Sequence, residues 1–129
     1  MLVQYLFGNA YRQWRLGLML LAYFLIIVVG AIPGARQSVG EVAAGWVLHA
    51  VAYSFLSALA FTSLSGTPWR KAKGALLMMA FMGGLDEYIQ GFFSYRMASI
   101  TDWAIDMAAA LFTVSVLMLA SWKISVTGR

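Results

Sequence analysis

The sequence predicts an all-α integral membrane protein, a bundle of four transmembrane helices with its N and C termini in the cytoplasm. Three observations lead to this prediction. The 129-residue chain has a mean hydropathy of +0.78 and only 11% charged residues, whereas soluble domains carry about 25%. Its apolar residues fall into four segments, each close to the ~20 residues with which a helix crosses a bilayer. Basic residues gather at the ends of these segments, as they do in membrane proteins.

Turn-forming sequences separate the four segments: Pro33-Gly34, then the stretch 65–68, then the polar stretch 94–96. Only helices and closed barrels satisfy the backbone in lipid, and these segments are about twice as long as a barrel strand. The length of the chain predicts a single domain over residues 1–129. The predicted helices are Leu16–Ile32, Val42–Leu64, Ala72–Phe92 and Thr101–Trp122.

The distribution of Lys and Arg predicts the orientation of the bundle. Seven of the nine basic residues lie on the side that holds both termini, and only Arg36 and Arg96 lie on the other side. By the positive-inside rule, the termini are cytoplasmic and the loops around Arg36 and Arg96 face outward. The first segment is longer than the apolar run of a signal peptide and three further spans follow it, so we expect it to be retained.

Two other classes of protein are disfavoured. The chain has no cysteine, so it forms neither a disulfide framework nor a thiolate metal site. Its formal net charge is +4, but the basic residues flank the segments instead of sharing one face, and we therefore expect no nucleic-acid partner.

Polar residues inside the apolar segments predict a site in the outer third of the bilayer. Four of the five acidic residues fall within the span 86–106, and ionised groups in hydrocarbon are costly unless they are paired or wet. In the predicted orientation, polar residues of the second, third and fourth helices reach the same depth. Gly83 and Gly84, just before the acidic pair, would let another helix approach closely. Three pairs spaced by four residues share a helix face: His49 with Tyr53, Asp86 with Gln90, and Asp102 with Asp106.

The residue types indicate acid–base or metal-assisted chemistry. A histidine beside carboxylates is the usual makeup of a general acid and base pair. The carboxylates also outnumber the nearby cations, an excess that a divalent metal would neutralise. The candidate catalytic residues are His49, Asp86, Glu87 and Asp102. The candidate metal ligands are His49, Asp86 and Asp102, with the metal left open. The candidate substrate-binding residues are Tyr53, Gln90, Arg96, Ser99 and Asp106.

The order of these polar residues resembles the VanZ-like family of small membrane proteins. The resemblance covers roughly residues 46–110, and two departures stand out: Gly45-Trp46 where members often carry Asp-Lys, and Asp106 where the family usually has Asn. The resemblance implies a role at the bacterial cell envelope, in the cytoplasmic membrane, with teicoplanin (glycopeptide) resistance as the association that names the family. The matching residues are His49 and Tyr53, then Gly84, Asp86, Glu87 and Gln90, then Arg96, Ser99 and Asp102.

Two functions remain open from the sequence. In the first, the protein acts on or binds a membrane lipid or a lipid-linked envelope precursor, and Arg96 holds an anionic group. In the second, it is a non-catalytic membrane protein whose polar cluster is structural or binds a partner protein. The structural alternative pairs Asp86 or Glu87 with Arg96 and makes Asp102 the N-terminal cap of the fourth helix. The sequence leaves open whether the protein is an enzyme and whether it forms a homo-oligomer.

Overall fold

The structure, a computed structural model, describes residues 8–35, 38 and 44–127, with side chains as far as residue 123. This part of the chain is all-helical and contains no strand, which confirms the all-α part of the predicted fold class. Each helix overlaps the segment predicted for it, although residues 42 and 43 of the second segment and Arg36 lie outside the described residues. After a short 3-10 turn, Asn9–Tyr11, come α1 (Arg12–Ala31), α2 (Gly45–Ser63), α3 (Pro68–Gln90) and α4 (Ile100–Thr127).

Three helical stretches of the described chain are long and apolar enough to cross a membrane: Asn9–Ala31, Gly45–Ser63 and Ile100–Lys123. The helix α3 has 23 residues, which is also a sufficient length. It is less apolar because Arg70, Lys71 and Lys73 lie in its first two turns and two carboxylates lie near its end. The described helices are therefore consistent with a membrane protein, as the composition predicts. The helix α3 carries charged residues near both of its ends.

The outer surface of the bundle is apolar. Phe24 on α1, Leu77 and Phe81 on α3, and Phe112 on α4 are each more than 60% exposed. Soluble monomers rarely expose large contiguous apolar patches. Such a surface is stable where hydrocarbon, and not water, surrounds the helices.

Small residues let the helices approach closely. Ala60 on α2, Ala75 on α3 and Ala110 on α4 are completely buried, as small residues are at helix contacts in membrane proteins. The most extensive contacts join α4 to α2 and to α3, whereas α1 packs mainly on α2. The tightly packed core is therefore formed by α2, α3 and α4.

Arginine side chains satisfy the C-terminal carbonyls of α2. The last carbonyls of a helix have no partner within the helix. Arg15, which is only 7% exposed, donates from Nε and Nη2 to the carbonyl of Thr62 at 3.2 and 2.7 Å. Arg12 donates to the carbonyl of Ser63 at 2.8 Å. The start of α1 thus lies beside the end of α2.

The C-terminus of α1 is capped from the loop between α3 and α4. Arg96 donates from Nη1 to the carbonyl of Gly30 at 3.0 Å, and the Tyr95 hydroxyl donates to the carbonyl of Ala31. A Cβ atom at Gly30 would come within 2.5 Å of Arg96 Nη1, so a glycine here allows the present position of the Arg96 side chain. These contacts bring Arg96 to the end of α1 that lies opposite Arg15.

Candidate functional site

The buried face of α3 carries its acidic residues into the bundle. Asp86 and Glu87 are 3% and 7% exposed, and they continue an apolar stripe of helical spacing. Their side chains do not share a direction, since Asp86 lies at a cavity beside α1 and α2, whereas Glu87 reaches the start of α4. The buried residues of α3 are Ala72, Ala75, Met79, Met82, Gly83, Asp86, Glu87 and Gln90.

His49 links α2 to two carboxylates of α4. Its Nδ1 atom lies 2.9 Å from Oδ1 of Asp106, which is completely buried. Its Nε2 atom lies 3.7 Å from Oδ2 of Asp102. A carboxylate on Nδ1 fixes the orientation and the tautomer of an imidazole and leaves Nε2 to exchange a proton or bind a ligand. The pair that is best placed for this is His49 with Asp106.

Glu87 is held by the start of α4. Its Oε2 atom accepts a hydrogen bond from the backbone N–H of Ser99 at 2.6 Å. Ser99 Oγ in turn accepts from the backbone N–H of Asp102 at 3.1 Å, which makes Ser99 the N-cap of α4 and corrects the alternative that Asp102 is the cap. In a capping box, the residue three positions after the cap would bond that Ser99 N–H. Because Glu87 does so instead, the carboxylate of Asp102 can extend toward His49.

A glycine lets α3 and α4 meet at the site. A Cβ atom at Gly83 would lie 3.1 Å from Trp103 Cδ1 and 3.3 Å from Oδ2 of Asp106. Trp103 also donates from its indole nitrogen to the carbonyl of Ala80 at 3.2 Å. The close approach expected from the two glycines therefore occurs at Gly83, whereas a Cβ atom at Gly84 would make only an ordinary contact.

A cavity of about 360 Å³ lies between α1 and α2 and reaches His49. Its walls are mainly apolar, and its polar lining is confined to a few side chains. Ligand sites in proteins combine these two properties, a mostly apolar wall and a few polar groups that set orientation. The lining residues are Leu25, Ile26, Val29 and Gly30 of α1, Ala35, then Gly45, Leu48, His49, Ala52 and Tyr53 of α2, with Asp86 and Arg96.

Two of the five candidate substrate-binding residues, Tyr53 and Arg96, line the cavity. The other three have different surroundings: Ser99 caps α4, Asp106 bonds His49, and Gln90 is buried on α3. Of the four candidate catalytic residues, His49 and Asp86 line the cavity, Asp102 lies next to His49, and Glu87 contacts Ser99. The sequence had paired Arg96 with either Asp86 or Glu87, and the hydrogen bond found for Glu87 is to Ser99.

The donor atoms that come closest together are not those of the predicted metal set. The ligand atoms of His49, Glu87 and Asp106 all lie within 4.8 Å of one another. Among the described residues, these three form the one group of His, Asp and Glu side chains that could hold a metal ion. The sequence favoured Asp86 and Asp102 with His49. The change follows from the rotation of the helices, because Asp86 turns to the cavity while Asp106 lies one turn deeper than Asp102.

Sequence reasoning missed the contribution of α1 to the site. This helix supplies four cavity residues, yet none of them is polar. The feature that identifies α1 as part of the site is a tertiary contact, the close approach of Gly30 to Arg96. Comparison of the chain with family models, with curated proteins and with solved structures found no match.

Proposed function

We propose that this chain is a VanZ-like protein of the bacterial cytoplasmic membrane that binds a cell-envelope lipid or a lipid-linked amphiphile. In this proposal four helices span the membrane, both termini are cytoplasmic, and the polar site faces the outer leaflet. The observation that carries the proposal is the apolar cavity between α1 and α2, with His49, Asp86 and Arg96 among its lining residues. The motif that resembles the VanZ-like family supplies the link to the cell envelope and to teicoplanin resistance.

The shape and lining of the cavity favour an amphiphile over a small polar solute. A volume of about 360 Å³ lies within the range of roughly 300–1,000 Å³ that is usual for ligand pockets. Leu25, Ile26 and Val29 present a continuous apolar wall on α1, which suits a hydrocarbon chain. A polar solute would leave this wall without compensating contacts.

Arg96 is the group at the cavity that favours an anionic head group. Arg96 lines the cavity and bonds the Gly30 carbonyl with one nitrogen. A guanidinium group has five N–H donors in a planar fork that matches phosphate and carboxylate. A head group bound to Arg96 would keep its acyl chain against α1.

The pairing of His49 with Asp106 suits acid–base chemistry on such a ligand. When Nδ1–H donates to Asp106 Oδ1, the Nε2 atom holds the lone pair that accepts a proton. His49 also lines the cavity, so the group that moves the proton contacts the bound molecule. This arrangement supports an enzyme, whereas the non-catalytic alternative assigns the same bonds to holding α2 and α4 together.

Photo-crosslinking tests the binding site. Purified protein is irradiated with phosphatidylglycerol that carries a diazirine in its acyl chain, and the labelled residues are mapped by mass spectrometry. We expect labelling of the α1 wall and strong competition by unlabelled phosphatidylglycerol. Val29→Trp fills the cavity and should abolish the labelling. Val28→Trp is the matched control, since Val28 has similar exposure but does not line the cavity. Equal labelling of both variants would contradict the proposal.

A second experiment separates an enzyme from a structural cluster. Cells that express His49→Gln or Asp86→Asn are scored for teicoplanin susceptibility, and the abundance and Tm of each variant are measured in membranes. If the protein is an enzyme, the variants should lose the resistance phenotype while they remain folded and abundant. If the cluster is structural, the variants should show both lower abundance and lower Tm, because buried polar groups would be left without partners.

A further inference from the structure

We propose that His49, Glu87 and Asp106 bind one divalent metal ion of the Zn²⁺ or Mn²⁺ type. This inference goes beyond the proposed function, since it adds Glu87 to the pair of His49 and Asp106 and holds whether or not the cavity binds an amphiphile. The three side chains come from α2, α3 and α4, and their ligand atoms all lie within 4.8 Å of one another.

Each carboxylate has one oxygen in use and one without a partner. Glu87 accepts from Ser99 with Oε2, and Asp106 contacts His49 with Oδ1. Within the described residues, Oε1 of Glu87 and Oδ2 of Asp106 are buried and have no hydrogen-bond partner. Both side chains are more than nine-tenths buried. Buried carboxylate oxygens without a partner are costly, and a cation would satisfy both at once.

Two further side-chain oxygens of the described residues, about one helical turn along α2 and α3, are also buried without a hydrogen-bond partner. They are the hydroxyl of Tyr53 and Oε1 of Gln90. Tyr53 follows His49 by one helical turn, and Gln90 follows Glu87 by three residues. A metal ion with bound water would give these oxygens hydrogen-bond donors, which a lone proton on one carboxylate would not.

The distances suit a metal after a small adjustment. Zn²⁺ binds imidazole nitrogen and carboxylate oxygen tetrahedrally at about 2.0–2.2 Å, so two ligands of one ion lie about 3.4 Å apart. The donor atoms lie within 4.8 Å of one another, so they must approach by no more than about 1.4 Å to share an ion. Rotation of the three side chains about their χ angles would supply this approach.

The donor set selects the class of ion. An imidazole nitrogen suits Zn²⁺ and other transition metals, whereas carboxylates and water also suit Mn²⁺ and Mg²⁺. One imidazole with two carboxylates therefore favours Zn²⁺ or Mn²⁺. The two carboxylate charges balance a divalent cation, and three protein ligands leave a coordination position open, as catalytic metal sites do.

Metal retention by the purified protein tests the inference. The protein is prepared with a histidine-free tag, stripped with a chelator and dialysed with Zn²⁺ or with Mn²⁺, and bound metal is measured by mass spectrometry. We expect one ion per chain in the wild type. Glu87→Gln and Asp106→Asn should each weaken binding about tenfold or more by titration calorimetry. Asp86→Asn is the matched control, a buried carboxylate of the same helix outside the set, and it should keep the ion.

Spectroscopy on the wild type keeps the test decisive if those variants do not fold. His49 is the only histidine of the chain. Electron paramagnetic resonance of the Mn²⁺ form should therefore show hyperfine coupling to an imidazole nitrogen, which can come from His49 alone. A folded wild type that retains no ion, or that binds Mn²⁺ without nitrogen coupling, overturns the inference. So does equal weakening in Asp86→Asn.

The metal site and the amphiphile site can be refuted separately. Val29→Trp changes the cavity wall only, and it should lose lipid crosslinking while keeping the ion. Glu87→Gln should lose the ion, and its crosslinking by phosphatidylglycerol is measured in the same preparation. A wild type that binds the metal but is not crosslinked would refute the amphiphile site alone, and a wild type that is crosslinked but retains no metal would refute the metal site alone.

Discussion

Replacing Gly30 by alanine should move Arg96 while leaving the fold intact. The new Cβ atom would lie 2.5 Å from Nη1 of Arg96, and an ordinary contact begins at 3.4 Å, so that nitrogen must retreat by about 0.9 Å. The atom is the far end of a flexible side chain, which makes the movement possible without a shift of α1. The present hydrogen bond of Arg96 to the Gly30 carbonyl, at 3.0 Å, would then be stretched or lost.

The magnitude follows from the type of bond. A hydrogen bond to a charged group contributes about 1.5–3 kcal/mol. Alanine gains about 1 kcal/mol over glycine inside a helix. The two effects oppose each other, so we expect the free energy of unfolding to fall by no more than about 2 kcal/mol. The displaced guanidinium should bind an anionic head group about tenfold more weakly or worse, because 1.4 kcal/mol corresponds to a factor of ten.

The assay compares Gly30→Ala with Gly17→Ala in crosslinking by diazirine phosphatidylglycerol, with Tm measured alongside. Gly17 is the matched control on the same helix, because its added Cβ atom would have no other atom within 4 Å. Phosphatidylcholine with the same diazirine chain reports on the apolar wall. In Gly30→Ala, labelling by phosphatidylglycerol should fall, whereas labelling by phosphatidylcholine should not change. If Gly30→Ala labels as well as Gly17→Ala, Arg96 does not bind the head group.

Three further predictions concern stability and topology. Arg15→Gln should lower the free energy of unfolding by about 2 kcal/mol or more, since Arg15 caps α2, whereas exposed Arg70→Gln should leave Tm nearly unchanged. Tyr23→Phe removes the bond from Tyr23 to α3 and should cost about 1 kcal/mol in denaturant unfolding. In intact cells, Ser94→Cys should react with an impermeant thiol reagent and Ser65→Cys should not; the reverse pattern would contradict the proposed orientation.

The all-helical class of the fold could be read from the sequence because it depends on local quantities. Apolar segments of about 20 residues specify helices that suit a membrane. Turn residues locate the breaks, as Thr67 and Pro68 do by capping and opening α3. The polar residues of three helices were also expected to converge, and of these the structure brings His49 of α2 together with Asp102 and Asp106 of α4.

The choice of partners was decided only by the tertiary structure. Spacing along a helix determines which residues share its face, but the rotation and depth of one helix against another depend on packing. The contact of Gly83 with Trp103 sets α4 so that Asp106 reaches His49 and Glu87 reaches Ser99. The two glycines predicted a close helix approach here, but no local pattern encodes its partner on α4, and so the sequence favoured different metal ligands.

The part of the cavity wall that α1 forms was also decided only by the tertiary structure. Its residues at the cavity are apolar or glycine, like those that face lipid elsewhere on the helix, and only the position of Arg96 distinguishes Gly30 from Gly17. By itself the sequence determined that helices form, that they suit a membrane, and which side chains can do chemistry. The tertiary structure alone decided which of these side chains meet, because contacts between helices depend on shape complementarity across the whole bundle.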